Sequence, residues 1–528
     1  MPKTSLRISS ILGGISPSQY FGTEGQFTGS LAVDPDFPSS DSNRTSGNLV
    51  PVGYSTFATG ATVATAIIAI INNPKNTLTY VVTRAGKIIS YDSSFASETV
   101  VGTVSGALAN GAFYYNNYIY ITTGTDVSRY GPLDGAAALV DNVWTGATLG
   151  TLTALVNTTY PTIDSNYSIK LPNHWGCIHG DGAAYFLDFK NGQGLVHKIK
   201  TTKVAAEGDT NNGSAYNVLD LPFGFYPTAI ASYSTDIAIL AIQSTDGTIN
   251  QGRSALFLWD TANTDTFYRG PIYLPDPLAT ALLYLNGVLY IWSGNGQNGT
   301  RLSVYAGGDS VQDIEFLEEG KPPLPGAIDG LGNRVAWAGY TTYPAASACI
   351  YALGSKNNKL PKGRQGVVRA ADGASASIIT AIKYIQQDAN ITPKVIMAWQ
   401  NATNPQISKY TASPSAFEAI WRSQVFNVNK SFDIDSLRIP LGSAVASGTT
   451  LTIKFFFDDQ ATSVTLTTVN NTNHPSAKFL FFKKPDLIAC TGRNNFFLEI
   501  AWTGTVGTPV NLPIEIGLDV KGDEPIYG

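Results

Sequence analysis

A single pattern recurs about seven times between residues 64 and 412: an apolar run, a turn, a second apolar run, a polar turn, and a third run. The third run ends in an aromatic or small residue and is the easiest to follow. It reads KIISYD (Lys87 to Asp92), VSRYG (Val127 to Gly131), LVHKIK (Leu195 to Lys200), ALFLWD (Ala255 to Asp260), LSVYAG (Leu302 to Gly307), CIYALG (Cys349 to Gly354) and ISKYTA (Ile407 to Ala412). Successive copies start roughly 40 to 70 residues apart, within reach of the spacing of propeller blades once loops are allowed for.

Two copies contain matching hairpins. In AFYYNNYIY, Asn116 and Asn117 separate two aromatic-rich runs, and in ALLYLNGVLYIW, Asn286 and Gly287 do the same. These residues tolerate positive φ, which a two-residue hairpin loop requires. Ser415 to Trp421 allows about one helical turn, and Ala376 to Gln387 has a mixed period; elsewhere the pattern is that of strands.

From about Phe417 the spacing changes. SFDIDSLRIPL, TLTIKFFFDD, SVTLTTV, AKFLFFKK, FFLEIAWTG and LPIEIGLDV are six alternating runs separated by turn residues such as Gly442, Gly448, Asn470-Asn471 and Gly504, the signature of an antiparallel β-sandwich. Ahead of the repeats, residues 1–60 are rich in Gly, Ser, Pro and Asp, and DPDFPSSDSN (Asp34 to Asn43) cannot hold a regular element. Tyr20, Phe21, Phe27, Leu31 and Phe37 supply apolar anchors, so this segment reads as an ordered, extended arm. The expected fold is all-β: an arm over 1–60, a β-propeller of about seven blades over 61–415 and a β-sandwich over 416–528.

Composition restricts function. Of 528 residues only 14% are charged and the net charge is −5, with no basic stripe of the kind a tight nucleic-acid reader carries. Polyanion contact is therefore expected to be transient and non-specific. Cys177, Cys349 and Cys490 are isolated from one another and read as buried free thiols, neither disulfides nor zinc ligands. Lys3 and Arg7 precede an apolar patch broken by Ser and Gly, a poor export signal. The longest apolar stretch, Ala64 to Ile71, is too short to span a bilayer. Synthesis in the cytoplasm without membrane insertion is the expectation.

Candidate chemistry is sparse. His174 and His179 in HWGCIHGDG lie five apart beside Asp181, so on a strand they face opposite sides and bind a metal jointly only if Gly176 bends the chain. Asp458-Asp459 and Glu318-Glu319 are adjacent pairs whose side chains diverge. Asp92, Asp188, Asp236 and Asp260 lie near strand ends, and glycoside hydrolysis would need them to converge on the propeller axis. There is no Gly-x-Ser-x-Gly elbow, Walker loop, HExxH or dinucleotide fingerprint, and no WD, kelch or Asp-box repetition. No catalytic residues, metal or cofactor are expected.

The order of parts carries a resemblance. A Gly-Gly-Ile-Ser element (Gly13 to Ser16) leads into the arm, then Arg44 to Gly47 in RTSGNLVPVGY, then the repeats. Over roughly residues 10–412 this resembles the tail hub or nozzle proteins of short-tailed bacteriophages, including tail tubular and packaged-DNA stabilisation proteins. The compact C-terminal sandwich is a departure, since not all members carry one. The resemblance implies a non-enzymatic virion protein of the phage tail, forming a ring of copies (a hexamer or similar) below the portal or adaptor. Such a ring extends the DNA channel, retains packaged DNA and docks tail fibres. Candidate assembly residues on the arm are Gly13, Gly14, Ile15, Tyr20, Phe21, Phe27, Phe37 and Arg44. Two alternatives stand beside it: a carbohydrate-binding or glycan-degrading, receptor-binding tail protein, and an external decoration or fibre-anchoring virion protein.

Overall fold

The computed structural model describes residues 3–11, 13–16, 26–34, 48–59, 63, 65–74, 77–105, 109–123, 126–141, 143, 175–190, 192–200, 215–243, 253–262, 269–294, 299–317, 322–341, 347–354, 365–369, 378–385, 394–400, 405–411, 417–458, 463–476, 478–483, 487, 491–504 and 508–521. The chain begins with β1 (Lys3–Ile8), β2 (Gly14–Ile15), β3 (Gln26–Leu31), β4 (Asn48–Leu49) and β5 (Gly53–Thr59).

Seven four-stranded antiparallel sheets follow. Blade 1 is β6 (Ile67–Asn72), β7 (Thr79–Thr83), β8 (Lys87–Tyr91) and β9 (Glu98–Thr103). Blade 2 is β10 (Ala109–Tyr115), β11 (Tyr118–Thr123), β12 (Val127–Gly131) and β13 (Ala138–Val140). Blade 3 is β14 (Gly176–Ile178), β15 (Ala184–Lys190), β16 (Gln193–Ile199) and β17 (Ala215–Asp220). Blade 4 is β18 (Phe225–Tyr233), β19 (Asp236–Gln243), β20 (Ser254–Trp259) and β21 (Arg269–Tyr273). Blade 5 is β22 (Leu278–Leu285), β23 (Val288–Gly294), β24 (Thr300–Tyr305) and β25 (Gln312–Leu317). Blade 6 is β26 (Ile328–Leu331), β27 (Arg334–Thr341), β28 (Ser347–Leu353) and β29 (Gln365–Arg369). Blade 7 is β30 (Ile378–Ile385), β31 (Lys394–Gln400) and β32 (Pro405–Thr411), completed by β5.

The first strands touch in a closed cycle: β6 meets β10, then β14, β18, β22, β26, β30 and β6 again. The fold is thus a seven-bladed propeller, and the seven recurrent third runs of the sequence are the third strands of the seven blades. Blades stack face to face around the axis, so both faces of an inner strand are covered. Burial therefore runs unbroken along β7 and β20, where alternation would mark a half-exposed sheet. At the rim, β9 and β13 are largely exposed. Both hairpins form as expected: Asn116, Asn117, Asn286 and Gly287 all have positive φ, and Tyr115 pairs with Tyr118 as Leu285 pairs with Val288.

The remaining strands are β33 (Phe417–Ser423), β34 (Phe426–Pro440), β35 (Thr449–Phe457), β36 (Ser463–Asn470), β37 (Phe479–Lys483), β38 (Thr491–Gly504), β39 (Val510–Asn511) and β40 (Ile514–Val520). One layer runs β2-β3-β33-β38-β35-β36 and the other β1-β40-β34-β37. The long strands β34 and β38 pair with each other where the layers join. A single buried cluster draws Trp421, Ile453, Phe496, Ile500 and Trp502 from the first layer and Leu437, Ile439, Leu480 and Ile516 from the second. This is the expected sandwich.

Three expectations need correcting. Where described, residues 1–60 are not an extended arm over a surface: β1 pairs with β40 and β3 with β33, so these segments supply strands to the C-terminal sheet. Gly53–Thr59 belongs to the propeller, pairing along β32 from Tyr410 opposite Tyr54 to Gln406 opposite Thr59. The propeller is therefore an insertion in the sandwich, entered through β5 and left through β32, its neighbour. Finally, the possible helical turns at Ser415–Trp421 and Ala376–Gln387 are strands where described. Ala419 and Trp421 alternate into the core of β33, and β30 pairs along β31, so sheet contacts decide what local period left open.

Candidate assembly surfaces

The carboxylates suggested for catalysis do not converge. Asp92 follows a third strand, away from the axis, and accepts bonds from the Ser94 hydroxyl and the Ser94 and Ala96 amides. The Ser94 hydroxyl is the main reason its carboxyl sits below the ordinary range. Asp260 closes a similar turn on the Ala262 amide, and Asp236 accepts the Thr235 hydroxyl. Asp188 is buried on β15, taking the Phe189 amide at 2.7 Å and His197 Nε2 at 2.9 Å. His197 Nδ1 accepts the Asn217 amide at 2.8 Å, which puts the ring hydrogen on Nε2, donated to Asp188. This pair fastens the second strand of blade 3 to the third and fourth.

His174 lies outside the described residues. His179 bonds the Ser232 hydroxyl in blade 4, while Asp181 accepts Tyr185, Ala183 and Lys198. Burial works against the Asp181 charge, but those hydrogen bonds outweigh it and hold its carboxyl below the usual range. No group of three His, Cys, Asp or Glu side chains able to hold a metal occurs among the described residues. Asp458 caps the Asn494 and Asn495 amides; Asp459, Glu318 and Glu319 lie outside the described residues. Cys177 and Cys349 are free thiols, half-buried and buried respectively; Cys490 is outside the described residues.

Of the arm residues, Tyr20, Phe21, Phe37 and Arg44 lie outside the described set. Gly13 is in a turn closed by the Gly14 amide on the Ile11 carbonyl, and Gly14 has φ +73°, open to glycine at little cost. Gly14 and Ile15 form β2, parallel to β3. Ile15 packs against both the sandwich core and a cluster in blades 5 and 6. Phe27 is buried against Trp421, ring centroids 6.3 Å apart. Of these residues Ile15 touches both units of the chain, while Phe27 packs within the sandwich.

The junction is built from β3 and the residues after it. Leu31, fully buried and still paired with Ile420 in the sandwich sheet, packs its side chain with Trp292, Trp337, Leu302, Cys349 and Tyr351 of blades 5 and 6. Asp34 meets Arg334, at the start of β27, through two contacts of 3.3 and 3.4 Å, both side chains fully buried. Val33 pairs with Pro51, placing Val33 in the sandwich core and its neighbours Val50 and Val52 in the propeller core. Taking two charges out of water is costly, and the two-pronged contact between guanidinium and carboxylate offsets part of that cost. Sequence reading missed it, because no local signal links residues 300 apart.

The outer face of the four-stranded layer is open. On β37, Leu480 and Phe482 point inward, while Phe479 and Phe481 are 52% and 49% exposed. Arg438 lies over the Phe479 ring at 5.4 Å and Lys483 over Phe481 at 5.5 Å. Lys478 is also exposed, and Glu515 sits between Arg7 and Arg438 at 3.6 and 3.4 Å. Among the described strands β37 pairs with β34 alone, leaving its outer edge available. The signal was present in KFLFFKK, whose alternation puts Phe on the face that carries Lys.

A second feature lies between the rims of blades 4 and 5. A cleft of about 600 Å³ is lined by Arg253, Tyr273, Leu274, Pro275, Val311 and Asp313, with Ser310 at its edge. Tyr273, Ile314 and Phe316 beside it are 48%, 42% and 45% exposed. Arg253 stacks on Tyr273 at 5.6 Å, and Arg301 is held by Asp276 and Asp313. Asp309 and Asp313 are exposed on the rim.

No family model matches the chain, and no curated protein matches it either. Among solved structures it is similar to the WD40 domain of Neurospora crassa Pan2, at 7% identity and TM-score 0.38, covering 66% of this chain and 89% of that one. It is similar to the WD40 propeller of Doa1 at 12% identity and TM-score 0.41, covering 67% and 97%. The propeller of Myceliophteria thermophila Cps50 (Swd1) matches at 10% identity and TM-score 0.41, covering 67% and 99%. Each of these is a propeller or WD40 domain, and no activity or partner of this chain follows from them.

Proposed function

We propose that the chain is a structural subunit of a bacteriophage tail, a hub or nozzle component that forms a ring, extends the DNA path and docks other tail proteins. One observation carries this reading: the N-terminal segment with the Gly13–Ser16 element is woven into both units, by β1 and β3 in the sandwich and by Asp34 and β5 in the propeller. The result is one stiff block with outward faces suited to neighbours. Its partners are further copies of itself, a portal or adaptor protein and tail fibres. Its location is the virion, after synthesis in the host cytoplasm. In this reading DNA passes along the axis of the ring of copies; the first strands of the blades carry buried residues such as Ile68, Ala229 and Ile379. Contact with it is transient and non-specific, in keeping with the net charge of −5. Among the described residues no helix is long and apolar enough to cross a membrane.

Negative-stain microscopy of the purified protein, with immunogold labelling of virions, tests the proposal. Rings and label at the tail are the expected result. A monodisperse monomer with unlabelled virions contradicts it.

A further inference from the structure

The lining of the cleft between blades 4 and 5 is divided between apolar surface and two charged groups of opposite sign. Its apolar part is Leu274, Pro275, Val311 and the half-exposed Tyr273 ring. Its polar part is one guanidinium, Arg253, one carboxylate, Asp313, and the Ser310 hydroxyl. At about 600 Å³ the cleft falls within the size range of ligand sites.

Both charged groups are held in place with bonding capacity to spare. Asp313 accepts the Ser303 hydroxyl at 2.8 Å on one oxygen and Arg301 on the other. Arg301 is held in turn by Asp276, which also accepts the Ser293 hydroxyl at 2.7 Å. Ser293 and Ser303 are both buried, so the network that orients the carboxylate is rooted inside the blade. The Asp313 side chain is nonetheless 46% exposed, and each of its oxygens keeps a lone pair for a further donor. The Arg253 guanidinium lies over the Tyr273 ring at 5.6 Å, and among the described residues no acceptor bonds it. Stacking on a ring leaves the N–H edge of a guanidinium available to acceptors.

These groups exclude several occupants. One positive and one negative charge leave no excess for a nucleic-acid strand, whose binding grows with the number of phosphates neutralised. A wholly apolar occupant would strip water from Asp313 and Arg253 without replacing its hydrogen bonds. What matches is an uncharged molecule with an apolar C–H face and hydroxyls around its edge, the make-up of a sugar ring. We propose that the cleft is a binding site for a neutral saccharide. A ring packs its C–H face on Tyr273, while its hydroxyls donate to Asp313 and accept from Arg253. Tyr273, Pro275, Ser310 and Asp313 are all exposed at the rim, so further rings of the same chain can continue beyond the cleft. The site goes beyond the assembly reading and does not depend on it.

The test is an array of immobilised neutral and acidic oligosaccharides, with single-stranded DNA and unstructured peptides as further spots, probed with the full chain. Wild type is retained by neutral oligosaccharides. Tyr273→Ala and Asp313→Asn each weaken that retention at least about 10-fold, and Tyr273→Phe, which keeps the ring face, leaves it unchanged. Tyr273 is exposed, so its two variants test the site even where Asp313→Asn loosens β24 and β25; unchanged circular dichroism confirms their fold. Absence of retention by every neutral oligosaccharide overturns the proposal, as does retention that survives Tyr273→Ala. Retention by DNA, peptide or acidic oligosaccharides alone overturns the assignment to a neutral saccharide. None of these results bears on the rings and tail label that test the assembly reading.

Discussion

The two outer faces of the sandwich meet different fates. On the β3–β33 side, Leu31 and Asp34 are fully buried against Trp292, Trp337 and Arg334 of the propeller. On the β37 side, Phe479 and Phe481 stay half in water with cations laid over their rings. Both faces use the same chemistry, large apolar side chains next to charge. The first is satisfied within the chain and gives the block its stiffness. The second has the composition of an interface and stays open among the described elements.

The contrast can be broken most forcefully at the ion pair. Asp34→Ala leaves Arg334 buried without its carboxylate and should cost about 3–5 kcal/mol, read as a lower midpoint in urea. Asp34→Leu with Arg334→Met should recover most of that loss, since an apolar pair needs no desolvation. A recovered single variant would mean the pair is solvated. Next, Leu31→Ala should cost about 2–5 kcal/mol by leaving a cavity among the tryptophans, and should speed thiol labelling of Cys349, which shares that cluster.

A pH scan separates the blades from either face. Burial pushes the Tyr120 hydroxyl up to about 12, and burial with the Asp181 charge pushes the Cys177 thiol up to about 12. Tyr91, Tyr185 and Tyr226 are shifted the same way, chiefly by burial. Each group holds its proton more tightly in the fold. Their contribution is complete below the ordinary values of 9.0 and 10.0 and is lost as pH climbs towards 12. A share of the tyrosine absorbance change should therefore come late and coincide with unfolding; completion of the whole tyrosine titration near 10 in the folded chain would contradict the burial. The smallest effect belongs to the open face, where Phe479→Ser with Phe481→Ser should change monomer stability by no more than about 0.5 kcal/mol.

What the sequence disclosed follows from locality. The third strands were legible because each is a contiguous apolar run, and the hairpins because Asn116-Asn117 and Asn286-Gly287 accept positive φ. The six C-terminal runs alternate cleanly because one face of each is buried. By contrast, the pairing of Ala58 with Ile407, of Leu6 with Ile516 and of Asp34 with Arg334 joins residues hundreds apart, and neither partner announces the other. One repeat signal was local and went unread: Thr228, Thr280 and Thr380 each sit at a bulge in the first strand of a blade, followed by Ala229, Ala281 and Ala381. Thr228 and Thr380 return a hydrogen bond to a carbonyl of the next strand. The blade register was written there as clearly as in the third strands.

Hydrogen exchange across a concentration series tests the contrast between the two faces most directly. Amides of β3 and β33 should be protected at every concentration, while the outward edge amides of β37, those not paired with β34, should gain protection only as copies associate. Rapid exchange of β3 in the dilute chain, or assembly that leaves the outward amides of β37 unprotected, would contradict the account.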